Sequence, residues 1–282
     1  MTEPLTITEQ EFQKLSEFLY RRTGMVFNES KRYYVERRVT DRMAATSNAT
    51  FANYFMFLRG ETRNEVEHFI NAFTVNETYF NREDHQLECL ARDLLPERVR
   101  GRRNGGPIRI WSVPCSTGEE PYSIAMWLLE NWPQVDAYDI EIVGSDIDTE
   151  VLDAAAAGIY GKRALMRLTP QIVDKYFRRL DDLRWQILDD LRESVQFSRV
   201  NIMQSRETRP QGRFDVIFCR NVLIYFDDES RRLAAENLFE SLHPGGYICL
   251  GHTESMSRIS PLFEVCRFSD AIVYRRPEEK RA

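Results

Sequence analysis

Apolar positions recur in two different rhythms along the 282 residues. From residue 8 to about 75 the spacing is that of helices alone. Thr8 and Glu11 stand three apart, as in a capping box, ahead of Phe12, Leu15 and Leu19 on one helical face, and Gly24 supplies a stop. Asn28 is placed to cap a second helix running to about Met43. The run 51–58, ended by Gly60, predicts a third helix and 64–73 a fourth. This part reads as a small helical bundle.

Residues 84–100 predict one more helix, closed by the Gly- and Arg-rich stretch 100–107. The pattern then alternates. Strands are expected at 108–113, 140–145, 195–200, 214–219 and 247–251, with a closing pair at 263–268 and 271–274. Helices are expected at 121–130, 150–157 (stopped by Gly158) and 229–242. Such alternation gives an α/β fold with a mostly parallel, doubly wound sheet behind an all-α N-terminal part. The stretch 165–194, with Arg178-Arg179 and Asp181-Asp182, is charged and weakly periodic, and is read as a small inserted subdomain. The expected division is thus a helical domain at 1–75, a linker and connecting helix at 76–107, and the α/β domain at 108–282.

Composition narrows the function. An apolar fraction of 43% suffices for a sizeable core, and a net charge of -6 argues against a general nucleic-acid binder. Cys89, Cys115, Cys219, Cys249 and Cys266 form no CxxC pair, which suits reduced thiols in a cytoplasmic protein. His68, His85, His243 and His252 lack metal-ligand spacing, so no metal is expected. Glu3, Glu9 and Glu11 stand where a signal peptide needs a basic and then apolar run, and no apolar stretch reaches the ~18 residues of a membrane span.

In open α/β sheets ligands bind beyond the carboxyl ends of the strands, so the residues just after each strand carry the chemistry. After the first strand comes Pro114-Cys-Ser-Thr-Gly118-Glu119-Glu120-Pro121, a tight turn with Pro121 suited to the first helical position. Its single glycine is not a dinucleotide fingerprint, and it reads equally as a plain connection or a cofactor loop. Asp146 follows the second strand, where a carboxylate accepts both hydroxyls of a ribose. Its alternative role is a helix cap, which Asp148 or Thr149 can also fill. Asn201 and Ile202 suit the edge and face of an adenine, and Arg220-Asn221 end a strand too apolar to need them for packing.

Four segments then resemble one family. They are Thr74-Val-Asn76-Glu-Thr78-Tyr-Phe80-Asn-Arg82-Glu83, Ser116-Thr-Gly-Glu-Glu-Pro-Tyr-Ser123, Ser145-Asp-Ile-Asp-Thr-Glu150 and Phe218-Cys-Arg-Asn-Val-Leu-Ile-Tyr-Phe226. Together, and over essentially the whole chain, they resemble the CheR family of chemoreceptor (methyl-accepting chemotaxis protein) glutamate O-methyltransferases. The resemblance implies a class I, Rossmann-like methyltransferase sheet that binds S-adenosyl-L-methionine and releases S-adenosyl-L-homocysteine. It implies cofactor contacts from Asn76, Thr78, Arg82, Glu120, Asp146, Asn201, Ile202, Arg220 and Asn221, with Glu119 able to exchange roles with Glu120. Arg82 and Tyr225 are the side chains expected nearest the transfer. The linker reads Phe80-Asn81-Arg82 where the family usually has Phe-Phe-Arg, which leaves the role of Asn81 open.

The implied substrate is the acidic helical bundle of a chemoreceptor's cytoplasmic region, in signal transduction for chemotaxis. Lys31, Arg38 and Arg42 form a basic stripe on the second helix that could face it. Some family members dock a receptor C-terminal peptide near 165–194. The segment 178–185 lacks the glycine-containing turn expected there, which argues against that docking. The remaining expectations are a cytoplasmic, monomeric protein, not membrane-inserted, with no nucleic-acid partner. The alternatives are a nucleic-acid methyltransferase and a non-catalytic cofactor-binding adaptor.

Overall fold

A computed structural model describes residues 6–60, 63–100 and 106–278. They form two compact units, one of residues up to 75 together with 225–230, the other of 76–224 together with 231 onward. Glu3 and most of the stretch expected to close the helix at 84–100, residues 101–105, lie outside the described residues.

In the helical unit, α1 (Glu9–Thr23) begins as the sequence predicts. The Thr8 hydroxyl accepts the Glu11 N–H, the Glu11 carboxylate accepts the Thr8 N–H at 2.8 Å, and Gly24 closes the helix at φ 74°. A 3-10 turn, Glu29–Lys31, precedes α2 (Arg32–Ala45). Asn28 makes no capping bond to it, contrary to expectation, because its Oδ1 accepts the neighbouring Ser30 hydroxyl at 2.6 Å. Thr50 caps α3 (Phe51–Arg59), and α4 (Arg63–Phe73) completes the bundle. Leu15, Leu19, Val35, Val39, Tyr54, Leu58, Phe69 and Phe73 are wholly buried in it. Within that core the buried Glu65 accepts the Tyr54 hydroxyl at 2.8 Å and pairs with the Arg42 guanidinium. The returning segment 225–230 adds an antiparallel bridge between Met25 and Phe226, and Val26 N–H donates to the Tyr225 carbonyl at 3.0 Å.

The second unit opens with α5 (Asp84–Cys89), a π-helical turn at Leu90–Leu94, and α6 (Leu95–Val99). Pro96 has no N–H and its ring crowds the preceding turn, and the wider turn, in which Leu95 N–H reaches Leu90 O, accommodates it. In chain order there follow β1 (Ile108–Ser112), α7 (Glu119–Asn131), β2 (Ile140–Asp146), α8 (Thr149–Ala157) and β3 (Ile159–Gly161). Next come α9 (Pro170–Tyr176), β4 (Phe177–Arg179), β5 (Arg184–Ile187), α10 (Asp189–Glu193), β6 (Val195–Arg199) and α11 (Ser205–Thr208). The unit closes with β7 (Phe214–Cys219), α12 (Asp228–Glu240), β8 (Leu242–Leu250), β9 (Glu264–Arg267) and β10 (Ile272–Arg275).

Seven strands form one sheet in the order β6-β2-β1-β7-β8-β10-β9. The first five run parallel, and β10 is antiparallel to both its neighbours. From β1 the chain moves outward through β2 to β6, then returns to the other side as β7. That reversal opens a crevice at the carboxyl ends of β1 and β7, where ligands bind in this architecture. Every residue of β7 is buried, so its hydrophobic run carries no polar alternation. The exception is Asp215, wholly buried, which accepts the Arg98 guanidinium at 3.0 Å and the Arg109 N–H at 3.0 Å.

Two local expectations shift. Helix α7 starts two residues before Pro121, which therefore occupies the third helical position, still in the first turn where N–H groups lack partners. Strand β8 begins at Leu242 rather than 247, running through His243-Pro244-Gly245-Gly246 with a register shift against β7. The interruption near 165–194 corresponds to a three-stranded antiparallel sheet, β3-β5-β4, with α9 between β3 and β4. Phe80 sits edge-on to Tyr160 and Phe177 there, at centroid distances of 4.8 and 5.3 Å. Among the described residues no helix is long and apolar enough to cross a membrane, and no His/Cys/Asp/Glu cluster could hold a metal.

Candidate active site

The turn from β1 to α7 is built for close approach. Gly118 has φ 92°, and a Cβ there would meet the Ala155 Cβ at 2.9 Å. The tightness brings Ser116 N–H to within 2.9 Å of Asp146 Oδ2 at the end of β2, while Asp148 N–H donates to Oδ1 at 3.0 Å. Asp146 is 3% exposed, and burial raises its pKa to about 6 against the opposing pull of these N–H donors. The helix-cap role belongs to Asp148, whose Oδ1 accepts Glu150 and Val151 N–H and whose Oδ2 receives the Asn76 amide at 2.9 Å. Asp146 is therefore left for another purpose. In the same turn Ser116 Oγ is buried with no hydrogen-bond partner among the described residues.

At the end of β7, Arg220 and Glu120 form a buried ion pair, and the Ser112 hydroxyl also donates to Glu120 at 2.7 Å. The second Arg220 nitrogen donates to the Arg82 carbonyl at 2.8 Å and lies 3.7 Å from Glu83. One guanidinium thus ties the linker to the ends of β1 and β7. Glu119 is held apart from this pair by the Thr117 hydroxyl at 2.6 Å, and burial raises its pKa. Asn221 adopts φ 61°, a left-handed conformation that Asn tolerates. Its Nδ2 would lie 2.5 Å from a Cβ on Gly251, so glycine is required there.

Glu254 is the functional candidate that the sequence reading missed. Its carboxylate accepts N–H donors from Asn221 at 2.8 Å, Leu223 at 2.8 Å and Gly251 at 2.9 Å, fixing the turn after β7 from the side of β8. Burial raises its pKa while the donors oppose that shift. The rule that residues beyond a strand's carboxyl end carry the chemistry finds it, once applied to β8.

The linker supplies Asn76, Thr78 and Arg82. Arg82 Nη1 donates to the Glu77 carbonyl at 2.8 Å, and its guanidinium lies 5.8 Å from the Tyr79 ring. Asn81, whose role was open, has φ 56° and donates its N–H to Ser123 Oγ at 2.9 Å. Asparagine suits that left-handed position better than an aromatic side chain would. At the end of β6 the Asn201 Oδ1 accepts Met203 N–H at 3.0 Å, and the buried Ile202 is anchored through its carbonyl by the Asn237 amide at 2.8 Å. Asn76, Thr78, Arg82, Glu120, Asp146, Asn201, Ile202, Arg220 and Asn221 all fall in the α/β unit. Tyr225, Lys31, Arg38 and Arg42 fall in the helical unit. There Lys31 is exposed, Arg38 stacks 3.5 Å over the Tyr34 ring, and Arg42 is turned onto Glu65.

The crevice suits a nucleoside cofactor with a charged amino-acid arm. It offers a buried carboxylate at the end of β2, an amide and an apolar side chain at the end of β6, and the Ser116 hydroxyl, unpartnered among the described residues, in the turn after β1. Comparison with known proteins agrees. Residues 10–74 match the family model "CheR methyltransferase, all-alpha domain", and residues 76–272 match "CheR methyltransferase, SAM binding domain". The chain is 47% identical over 279 residues to chemotaxis protein methyltransferase 2 of Vibrio cholerae, covering 99% of this chain and 96% of that one. It is 36% identical over 267 residues to the chemotaxis protein methyltransferase of Escherichia coli, covering 93% and 90%. Chemotaxis protein methyltransferase 2 of Pseudomonas aeruginosa is 38% identical over 258 residues, covering 90% of each. With two family models spanning the helical bundle and the sheet that bears the crevice, this chain belongs to the CheR methyltransferase family and is an S-adenosylmethionine-dependent methyltransferase of chemotaxis.

Proposed function

We propose that the chain methyl-esterifies glutamate side chains in the cytoplasmic helical bundle of chemoreceptors. The observation that carries this reading is the state of the acids around the crevice. Glu120, Asp148 and Glu254 already accept hydrogen bonds from named donors and serve the architecture, and Asp146 is assigned to ribose hydroxyls, so none of the four is assigned as a base. A glutamate substrate needs no base, because its carboxyl group, with an ordinary pKa of about 4.3, is ionised at neutral pH. S-adenosylmethionine, when bound, would supply a methyl group on a sulfonium; a substrate carboxylate oxygen would bond to that methyl carbon in line as its bond to sulfur breaks, and S-adenosylhomocysteine would leave.

The protein then has to orient and desolvate. Asp146 receives ribose hydroxyls, Asn201 and Ile202 hold the base, and Asn76 and Thr78 line the approach from the linker. The Arg82 guanidinium clamps a carboxylate, and the Arg220–Glu120 pair fixes the linker backbone from which Arg82 projects. On the strength of the sequence resemblance Tyr225 orients the incoming oxygen; from the basic stripe, Lys31 and Arg38 are assigned to receptor encounter, whereas Arg42 is held by the buried Glu65. Alignment of this kind is worth ~7–11 kcal/mol in favourable cases. Transfer of tritium from labelled cofactor to a purified receptor fragment, as base-labile counts, is the expected result. Base-stable counts, or counts in nucleic acid, would replace this reading.

A further inference from the structure

Beside the turn after β7 lies a cavity of about 140 Å³, lined by Leu223, Ile224, Arg231, Thr253, Ser255 and Arg258, with Glu254 in its wall. It is too small for a nucleoside, whose sites run to about 300 Å³ or more. Its volume suits one side-chain head group. Two of its walls are cationic. Arg231 is fixed by donating its Nε to the Leu223 carbonyl at 2.9 Å. Arg258 is exposed, and its guanidinium makes no hydrogen bond or ion pair among the described residues. Thr253 and Ser255 also line it, and the Ser255 hydroxyl accepts the Tyr274 hydroxyl at 3.4 Å. The acid in the wall is already engaged, since the Glu254 carboxylate accepts the three N–H groups named above. The cavity therefore offers the exposed Arg258 guanidinium to a small anion, beside the already engaged Arg231, and shares Leu223 and Glu254 with the Asn221 turn at the crevice.

We propose that this cavity is a second carboxylate subsite, which receives an acidic side chain of the receptor flanking the glutamate to be methylated, with Arg258 as its contact. The inference rests on the proposed glutamate esterification. It makes the preferred substrate a helix with more than one carboxylate within reach, rather than an isolated glutamate.

The test uses the full chain and a purified chemoreceptor cytoplasmic fragment. Arg258→Ala should raise KM for the fragment about five- to tenfold, as expected for one charge-assisted hydrogen bond at a partly exposed site. The maximal rate and cofactor affinity should stay unchanged, and Arg258→Lys should restore part of the loss. When the acidic residues flanking the methylated position are changed to glutamine, wild type and Arg258→Ala should become equal, because the coupling resides in that pair. An unchanged KM in Arg258→Ala overturns the subsite. So does weakened cofactor binding in that variant, which would assign the cavity to the cofactor. If the wild type places no base-labile methyl on the fragment, the glutamate reading fails, and the subsite with it.

Discussion

Asp146 shows how one residue can be both placed and tuned by its neighbours. The turn after β1 and its own following turn each direct an N–H at it, while burial lifts its pKa to about 6. Without cofactor, the folded protein between about pH 4 and 6 keeps a proton there that the unfolded chain releases. The stability contributed by this group therefore falls as pH rises through that window. Ribose hydroxyls favour the ionised carboxylate, so cofactor affinity should rise between about pH 5 and pH 7. In Asp146→Asn, calorimetric titration should show affinity that is both weaker and flat with pH, and a retained pH dependence would remove Asp146 from the site. Arg82 differs, because among the described residues its guanidinium hydrogen-bonds a nearby carbonyl and neither core depends on it. Arg82→Ala should lower methyl transfer at saturating cofactor tenfold or more, the effect of losing a charged clamp of about 1.4 kcal/mol or more, with little change in melting temperature.

At the level of elements, what was legible followed local rules. The Thr8–Glu11 box, Gly24 and Gly158 fixed helix ends in sequence and structure alike, because caps act within one turn. The parallel strands were visible as short apolar runs, and the candidates Asp146, Asn201, Ile202, Arg220 and Asn221 because each follows one, whereas Asn76, Thr78 and Arg82 of the linker came only with the family resemblance. What stayed hidden depends on distance along the chain or on backbone geometry. The Arg220–Glu120 pair joins residues 100 apart, and the start of β8 was masked by Pro244-Gly245-Gly246, which reads as a turn. Glu254 accepts main-chain N–H groups, so its position after β8 signals it but its partners do not. The pair is testable as a tie between elements. Arg220→Met strands Glu120 as a buried charge and should destabilise the chain by about 3–5 kcal/mol in denaturant unfolding, with adding Glu120→Gln recovering much of the loss. If the single variant unfolds at the wild-type denaturant concentration, the pair is not holding the linker to the sheet.

For the whole molecule, the basic residues of α2 and the turn before it separate by their partners: Lys31 is exposed, Arg38 lies over the Tyr34 ring, and Arg42 is paired with the buried Glu65. Lys31→Glu with Arg38→Glu should slow methylation of receptor at low salt, and the effect should shrink at high salt because exposed charges are screened over about 8–10 Å. Cofactor affinity should not move. Arg42→Glu should instead unfold the helical unit more readily at any salt, since it sets two carboxylates together beside Tyr54. Equal rates for the double variant and wild type at low salt would place receptor encounter elsewhere. The return of residues 225–230 to the helical unit reaches further than this surface. Met25 pairs with Phe226, and Val26 with Tyr225, across about 200 intervening residues, most of which belong to the other unit. A gene segment ending at codon 75 therefore encodes an incomplete module. Recombination that shuffles the bundle between relatives has to carry the codons for 225–230 as well, or leave a backbone seam unfilled.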